Sequence, residues 1–196
     1  MSRGILYYMW GNDPKQKKLL ERSIESAKKF GYDYDVVWDN SEYKGFRKRI
    51  DLYYKSSFDT TLYLDADTVI MDNIDYGFEM AEKYGLACCI APASSAYDAL
   101  KQHKNDLITK MPVDLPQYNC GVLFFSERKR AEMIFEYWSI LLTKYIESSE
   151  NDQPYLAYAM HDLNFHPYVL PKNWNYRPHL RYTGALHGNV KILHSN

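Results

Sequence analysis

Residues 62–70 read Leu-Tyr-Leu-Asp-Ala-Asp-Thr-Val-Ile. Two carboxylates one residue apart thus sit at the end of an apolar, β-branched run that must be a buried strand. On an extended segment Asp65 and Asp67 project to the same side and repel each other unless a cation lies between them. A divalent metal site at the C-terminal end of a strand meets both demands, because open α/β sheets bind their ligands there. The competing reading is a strand-end turn in which Asp65 caps the next stretch of backbone.

The surrounding pattern places that strand third in a series. Gly4–Trp10 is an apolar, aromatic run suited to a central parallel strand, and Gly11-Asn12-Asp13-Pro14 is a turn that starts a helix. Leu19, Leu20, Ile24 and Ala27 recur at helical spacing. Tyr34–Trp38 reads as a second strand, Gly45–Phe58 as a helix and Thr61–Leu64 as the third strand. This alternation predicts a doubly wound α/β fold: a mixed, mostly parallel central sheet flanked by helices. Further on, strands are expected at Leu86–Ala91, Tyr118–Phe125, Phe165–Val169 and Val190–Leu193, and helices at Glu127–Ile146 and Gln153–Met160. The stretch Ser94–Gln117 is the least regular, with Pro112 and Pro116 in it. The 196 residues suffice for one domain with a substantial core, so a single domain over 1–196 is expected.

Composition narrows the partners. With 24 basic and 25 acidic side chains and a net charge of −1, the chain has no basic block suited to nucleic acid or an anionic membrane. Cys88, Cys89 and Cys120 have no metal-ligand spacing, and the first two, as neighbours, would bridge only with strain. With no signal peptide and no apolar run long enough to span a bilayer, a soluble, reduced, cytoplasmic protein is expected, and a homo-oligomer is compatible with the sequence. There is no Gly-x-Gly-x-x-Gly and no Walker loop, which argues against dinucleotide dehydrogenases and P-loop enzymes.

Taken in order, several segments resemble the retaining, metal-dependent glycosyltransferases of GT-A fold in the glycogenin and galactosyltransferase group, family 8. Leu64-Asp65-Ala66-Asp67-Thr68 resembles that family's Asp-x-Asp segment, and Arg49, sixteen residues upstream, falls where the family carries a basic residue facing the sugar nucleotide. Tyr118-Asn119-Cys120-Gly121-Val122 is similar to its Phe-Asn-small-Gly-Val strand, and Asn151-Asp152-Gln153 to its Asp-Gln helix start. Leu170-Pro171 through Trp174-Asn175 resembles a wall of the substrate site, and Ile192-Leu193-His194 the strand whose histidine completes the metal shell.

The resemblance implies a Rossmann-like GT-A fold and transfer of a hexose from a UDP-sugar to a saccharide or other hydroxyl acceptor, with retention at the anomeric carbon. It assigns Asp65, Asp67 and His194 to a Mn²⁺ or Mg²⁺ ion. Tyr8, Met9 and Trp10 would read the base, joined by Arg49, Asp65, Ala66, Asp67 and Gln153 around the nucleotide sugar. Arg49, Asn119 and Asp152 would serve the reaction: Arg49 on the leaving diphosphate, Asn119 on hydroxyls, Asp152 on the donor sugar or its developing positive charge. Each residue also has a plainer reading. His194 could be a hydrogen-bonded strand histidine, Asn151-Asp152 a helix N-cap, Arg49 part of a solvated face and Gly121 a close-packing glycine.

In the family, glycine and lysine contacts to the diphosphate come after the histidine strand, whereas this sequence ends at Asn196. That charge is expected from Arg49, Lys172 or another basic residue, unless diphosphate binding is weaker or the chain is shortened. The extra length around Ser94–Gln117 is assigned to acceptor binding or a lid. Alternatives are an inverting GT-A transferase with Asp152 or Asp162 as base, a sugar-nucleotide-binding domain without turnover, and a nucleotidylyltransferase, whose Gly-rich basic loop Gly11–Lys15 reproduces poorly.

Overall fold

β1 (Arg3–Trp10), α1 (Pro14–Lys29) and β2 (Asp33–Asp39) open the chain as a parallel strand-helix-strand unit. The computed structural model describes residues 1–39, 49, 51–101, 106–127, 129–145, 151–180, 186 and 188–195, with only the backbone at 92–94. α1 starts where the sequence places it: the Asp13 carboxylate accepts from the Lys15 N–H, and Pro14 occupies the first turn.

β3 (Thr60–Leu64) pairs in parallel with the other side of β1. The strand order therefore reverses between β1 and β3, and open α/β sheets bind ligands off the carboxyl ends of strands at such a switch point. After β3 come β4 (Thr68–Ile70), α2 (Asp75–Tyr84), β5 (Leu86–Ser95), α3 (Ala96–Leu100) and β6 (Pro116–Ser126). α4 (Lys129–Tyr145), α5 (Gln153–Asp162), β7 (Tyr168–Val169) and β8 (Ile192–His194) complete the described elements. The central sheet runs β2-β1-β3-β6-β5-β7, with β6 antiparallel to both of its neighbours, and β4 pairs with β8 in a separate two-stranded sheet.

Period-two alternation separates two cores across the sheet. Ile5, Tyr7, Met9, Leu62, Leu64, Val122 and Phe124 pack with Leu20 and Ala27 of α1 and with Phe78 and Ala81 of α2. The intervening Leu6, Tyr8, Tyr63, Leu123 and Phe125 pack with Phe135 and Trp138 of α4 and Tyr155 and Leu156 of α5. Each of the Leu, Ile, Val, Met and Phe side chains among them, taken out of water, contributes about 1.5–3 kcal/mol. None of the described helices is long and apolar enough to cross a membrane.

The structure departs from the sequence reading in four places. β3 ends at Leu64 as expected, but the segment expected to stay extended through Asp67 is a turn at Asp65-Ala66-Asp67, closed by the Thr68 N–H on the Asp65 carbonyl (3.1 Å), which carries the chain from β3 into the second sheet. Of the expected helix Gly45–Phe58, Gly45–Lys48 and Ile50 lie outside the described residues, and Tyr53–Lys55 is a 3-10 turn. Ser56 ends it by accepting the Phe58 N–H at 3.2 Å, a local bond that competes with helix formation. α2 is absent from the sequence reading, although Ile74, Phe78 and Ala81 keep helical spacing and Gly85, at φ +89°, closes the helix. The final strands are shorter than expected, at Tyr168–Val169 and Ile192–His194.

Trp138 is buried and its Nε1–H donates to the Asp152 carbonyl at 3.2 Å, tying α4 to the start of α5. Trp138→Phe removes that donor and leaves space for a small cavity. A loss of about 1–3 kcal/mol is expected in urea denaturation, with an unchanged m-value.

Candidate functional site

Tyr63 and Asp65 fix the centre of the site. β3 is buried along its whole length, and its direction is carried one residue further by the Asp65 N–H, which donates to the Gly121 carbonyl of β6 at 2.9 Å. Asp65 shares the sheet face of Tyr63, whose hydroxyl donates to Asp65 Oδ1 at 2.6 Å. The same oxygen accepts from Arg49 Nη2 at 2.6 Å, and Arg49 Nη1 reaches Asp152 Oδ2 at 2.7 Å. The guanidinium also lies over the Tyr63 ring, 5.2 Å from its centroid. Arg49 is therefore not part of a solvated face; it is 3% exposed and clamps the end of β3 to the start of α5.

Burial acts to strip charge from Arg49, but Asp152 and Asp65 oppose it and hold the guanidinium well above its ordinary pKa. Burial pushes the Asp152 carboxyl above the usual carboxylate range, against the pull of Arg49 and with a further push from Asp65. The Asp152 side chain does not cap α5. That work falls to Asn151, whose Oδ1 accepts from the backbone N–H and the side-chain amide of Gln153 at 3.1 and 3.2 Å. The sequence reading of Asn151-Asp152 as a pure cap therefore assigns one residue correctly and the other not.

The turn at Asp65–Thr68 brings the second carboxylate round by a different route from the extended segment expected. β4 and β8 pair so that Thr68 lies opposite His194, next to Asp67. The Ser195 N–H and hydroxyl both donate to the Asp67 carbonyl, at 3.0 and 2.6 Å. A one-residue slip in this register would turn the imidazole away. As it stands, His194 Nε2 is 3.3 Å from Asp67 Oδ1 and 4.0 Å from Asp65 Oδ2. Burial works to raise the Asp67 pKa, but the neighbouring His194 and, beyond it, Arg177 outweigh it and the net direction is down.

These atoms fit a divalent cation. One ligand atom from each of Asp65, Asp67 and His194 can be chosen so that all lie within 4.8 Å of one another. A mixed oxygen and nitrogen donor set of this kind suits Mn²⁺ and tolerates Mg²⁺. On its far side His194 Nδ1 meets Asn175 Oδ1 at 2.8 Å; with the amide oxygen accepting, Nδ1 carries the proton and Nε2 offers its lone pair toward the carboxylates. Asn175 thus lies behind the histidine, and Trp174 packs in the core. Space for this cluster exists because residue 121 has no side chain: a Cβ there would sit 2.3 Å from Asp65 Oδ2 and 2.7 Å from His194 Cε1.

A cleft of about 500 Å³ opens beside the cluster at the carboxyl ends of β1 and β3. Tyr8, Met9, Trp10 and the Gly11–Asp13 turn line one side, and Arg49, Tyr63, Asp65, Ala66 and Asp67 line the other. The cleft thus gathers the base, Asp-x-Asp and Arg49 positions expected from sequence. The Tyr8 pKa is pushed up by burial and by its hydrogen bond to Asp39 at the end of β2. Asn119 is buried, and both ends of its amide are committed: Nδ2 donates to Gln153 Oε1 at 3.1 Å, and Oδ1 accepts the Gly121 N–H at 2.9 Å. Asn119 and Gln153 are brought together as a pair supporting the cluster. Sequence reasoning missed Tyr63 and Arg177 and named Asn175 for a substrate wall without its bond to His194; the alternation along β3 places Tyr63 on the Asp65 face, but nothing local links residues 175 and 177 to His194.

No family model matches the chain, and no curated protein matches it in sequence. Solved structures do match it. The chain is similar to the apo form of mouse xyloside xylosyltransferase 1, with a TM-score of 0.61 and 13% identity over 100% of this chain and 98% of that one. It is similar to the galactosyltransferase LgtC in complex with donor and acceptor sugar analogues, with a TM-score of 0.63 and 15% identity over 97% of this chain and 86% of that one. A third likeness is to the apo form of the glycosyltransferase GlyE of Streptococcus pneumoniae, with a TM-score of 0.62 and 15% identity; it covers 99% of this chain and 54% of that one. The chain has the GT-A glycosyltransferase fold, a mixed α/β architecture with a mostly parallel six-stranded sheet.

Two substitutions test the geometry. Gly121→Ala forces Asp65 and His194 apart, so Mn²⁺ affinity measured by calorimetry should fall at least about tenfold, a loss of about 1.4 kcal/mol in binding. Arg49→Met leaves Asp152 buried without its counter-charge, and an unfolding free energy lower by about 3–5 kcal/mol is expected in chemical denaturation.

Proposed function

We propose that this chain is a metal-dependent glycosyltransferase that moves a hexose from a UDP-sugar to a saccharide or other hydroxyl acceptor. The observation that carries the reading is the convergence of Asp65, Asp67 and His194 at the rim of the switch-point cleft, within a GT-A fold. Two carboxylates and an imidazole would hold Mn²⁺ or Mg²⁺, and the bound ion supplies Lewis-acid stabilisation of the departing diphosphate.

The chain's own residues account for the rest. Tyr8, Met9 and Trp10 form the apolar and aromatic wall on which a uracil base lies, with main-chain groups at the strand end to read its edge. Arg49 lines the cleft while bound to both Asp65 and Asp152, so its charge is fixed before substrate arrives. A fixed charge stabilises a leaving diphosphate more than the intact ester, because the negative charge grows as the glycosidic bond breaks. Asp152 keeps Arg49 charged and would turn a carboxylate toward the donor sugar, while the Asn119–Gln153 pair supports β6 where Gly121 meets the metal residues. The structurally similar xylosyltransferase and galactosyltransferase are enzymes of sugar transfer, in agreement with this substrate class.

Retention at the anomeric carbon is favoured over inversion by where the two candidate bases lie. Asp152 is 2% exposed and ion-paired, which unsuits it for taking a proton from an acceptor. Asp162 closes α5 at its opposite end, about 15 Å along the helix, and accepts from the Tyr137 hydroxyl at 2.9 Å.

Titration of UDP with Mn²⁺ and again with EDTA, then UDP release over a panel of UDP-sugars, tests the reading. Binding that needs the metal, with release from one sugar in the presence of an acceptor, is the expected result; metal-independent or absent UDP binding overturns it. Asp67→Asn should abolish metal-dependent UDP binding while the far-UV circular dichroism stays that of the parent, and parental UDP affinity in this variant would remove the metal assignment.

A further inference from the structure

His194 Nε2 has a third neighbour besides the two aspartates. Arg177, just beyond the 3-10 turn Lys172–Asn175, places Nη2 3.3 Å from that nitrogen. With the Nδ1 proton directed at Asn175, Nε2 has one in-plane lone pair, and a guanidinium N–H is placed to donate into it. One lone pair cannot serve both a guanidinium donor and a metal ion. Arg177 and a cation therefore compete for the same atom.

Charge decides where Arg177 turns once a cation has taken Nε2. Arg49, Arg177, Asp65, Asp67 and Asp152 together carry one net negative charge, and a dication turns that into one net positive charge. Arg49 is held by Asp65 and Asp152 in the buried clamp, so it is fixed in place. Arg177 is half-buried, meets the ring edge that faces the two carboxylates and acts on Asp67 through its charge, so its guanidinium stands beside the atoms that a cation, and an anion on that cation, would occupy. Its planar fork matches phosphate oxygens, which accept two parallel N–H donors.

We propose that Arg177 is a metal-displaced diphosphate clamp: it occupies His194 Nε2 in the metal-free protein and is released by cation binding to hold the phosphate oxygens of the nucleoside diphosphate. The proposal rests on the reading of the cleft as a metal and UDP-sugar site, and adds to it a link between the two ligands. Arg177 weakens the metal when the metal binds alone and strengthens the nucleotide once the metal is there, so the two bind cooperatively through it.

The test is a pair of calorimetric titrations on Arg177→Gln and on Arg177→Lys, with thermal melting to show that each variant is folded. In Arg177→Gln, Mn²⁺ alone should bind about threefold or more tighter than in the parent, and UDP at saturating Mn²⁺ about tenfold or more weaker, the effect of losing a charge-assisted hydrogen bond. Arg177→Lys, which keeps the charge and loses the fork, should recover part of the UDP affinity. The opposite signs are the signature. If Arg177 merely braces the imidazole, both affinities fall together, and that result overturns the proposal, as does UDP binding equal to the parent's. A parent protein that binds Mn²⁺ but no UDP overturns the functional reading itself, and the clamp with it.

Discussion

Two demands meet on the carboxylate of Asp65, and its two oxygens divide them. Oδ1 accepts from Tyr63 and Arg49 on the protein side, while Oδ2 faces His194 across the space that Gly121 leaves open. A carboxylate without the first pair of bonds would be free to rotate, and its second oxygen would have no fixed place in a metal shell. The Arg49 clamp also joins the end of β3 to the start of α5, elements 87 residues apart in sequence between Asp65 and Asp152. Geometry at the metal and docking of α5 are thus one interaction seen from two sides.

The same division accounts for where the break at Asp65-Ala66-Asp67 falls. Had the run 62–70 continued as one strand, Val69 and Ile70 would extend the central sheet and nothing would bring the chain's last described strand near the acidic pair. By turning after Leu64, the chain places β4 in its own two-stranded sheet, and β8 pairs there with His194 opposite Thr68. Tyr176 supports the arrangement: its N–H donates to the Ile192 carbonyl and its carbonyl accepts the His194 N–H, at 2.9 and 2.8 Å. Arg177 is the next residue, so backbone pairing, not side-chain reach, delivers it to the imidazole.

Much of this was legible in the sequence. Strands buried on both faces read as apolar runs, and β1, β3 and β6 stand where Gly4–Trp10, Thr61–Leu64 and Tyr118–Phe125 were expected. The fold class follows from their alternation with helices. The acidic pair and His194 could be named because their chemistry is rare within apolar segments. What stayed hidden was hidden for physical reasons. Asn175 meets His194 from nineteen positions away, and Tyr63 reads as one more core aromatic until its hydroxyl partner is seen. The turn that divides β3 from β4 is built by Thr68, whose N–H and hydroxyl both donate to the Asp65 carbonyl, so β-propensity alone misreads it.

Unequal demands of core and site also let the fold persist at 13–15% identity with its structural neighbours. The two cores ask only for apolar side chains of suitable volume in alternation, a demand that many sequences meet. The site asks for more, but at few positions: a missing Cβ at 121, a buried guanidinium between two carboxylates, and a register that sets one imidazole beside one aspartate. Residues at the rim are constrained less by folding than by what the cleft receives. The β4–β8 pairing and the Asn175 bond hold the imidazole in place, and Arg177 meets it from a third side. A guanidinium set 3.3 Å from the atom that a metal would take suits the anionic ligand that enters after the metal.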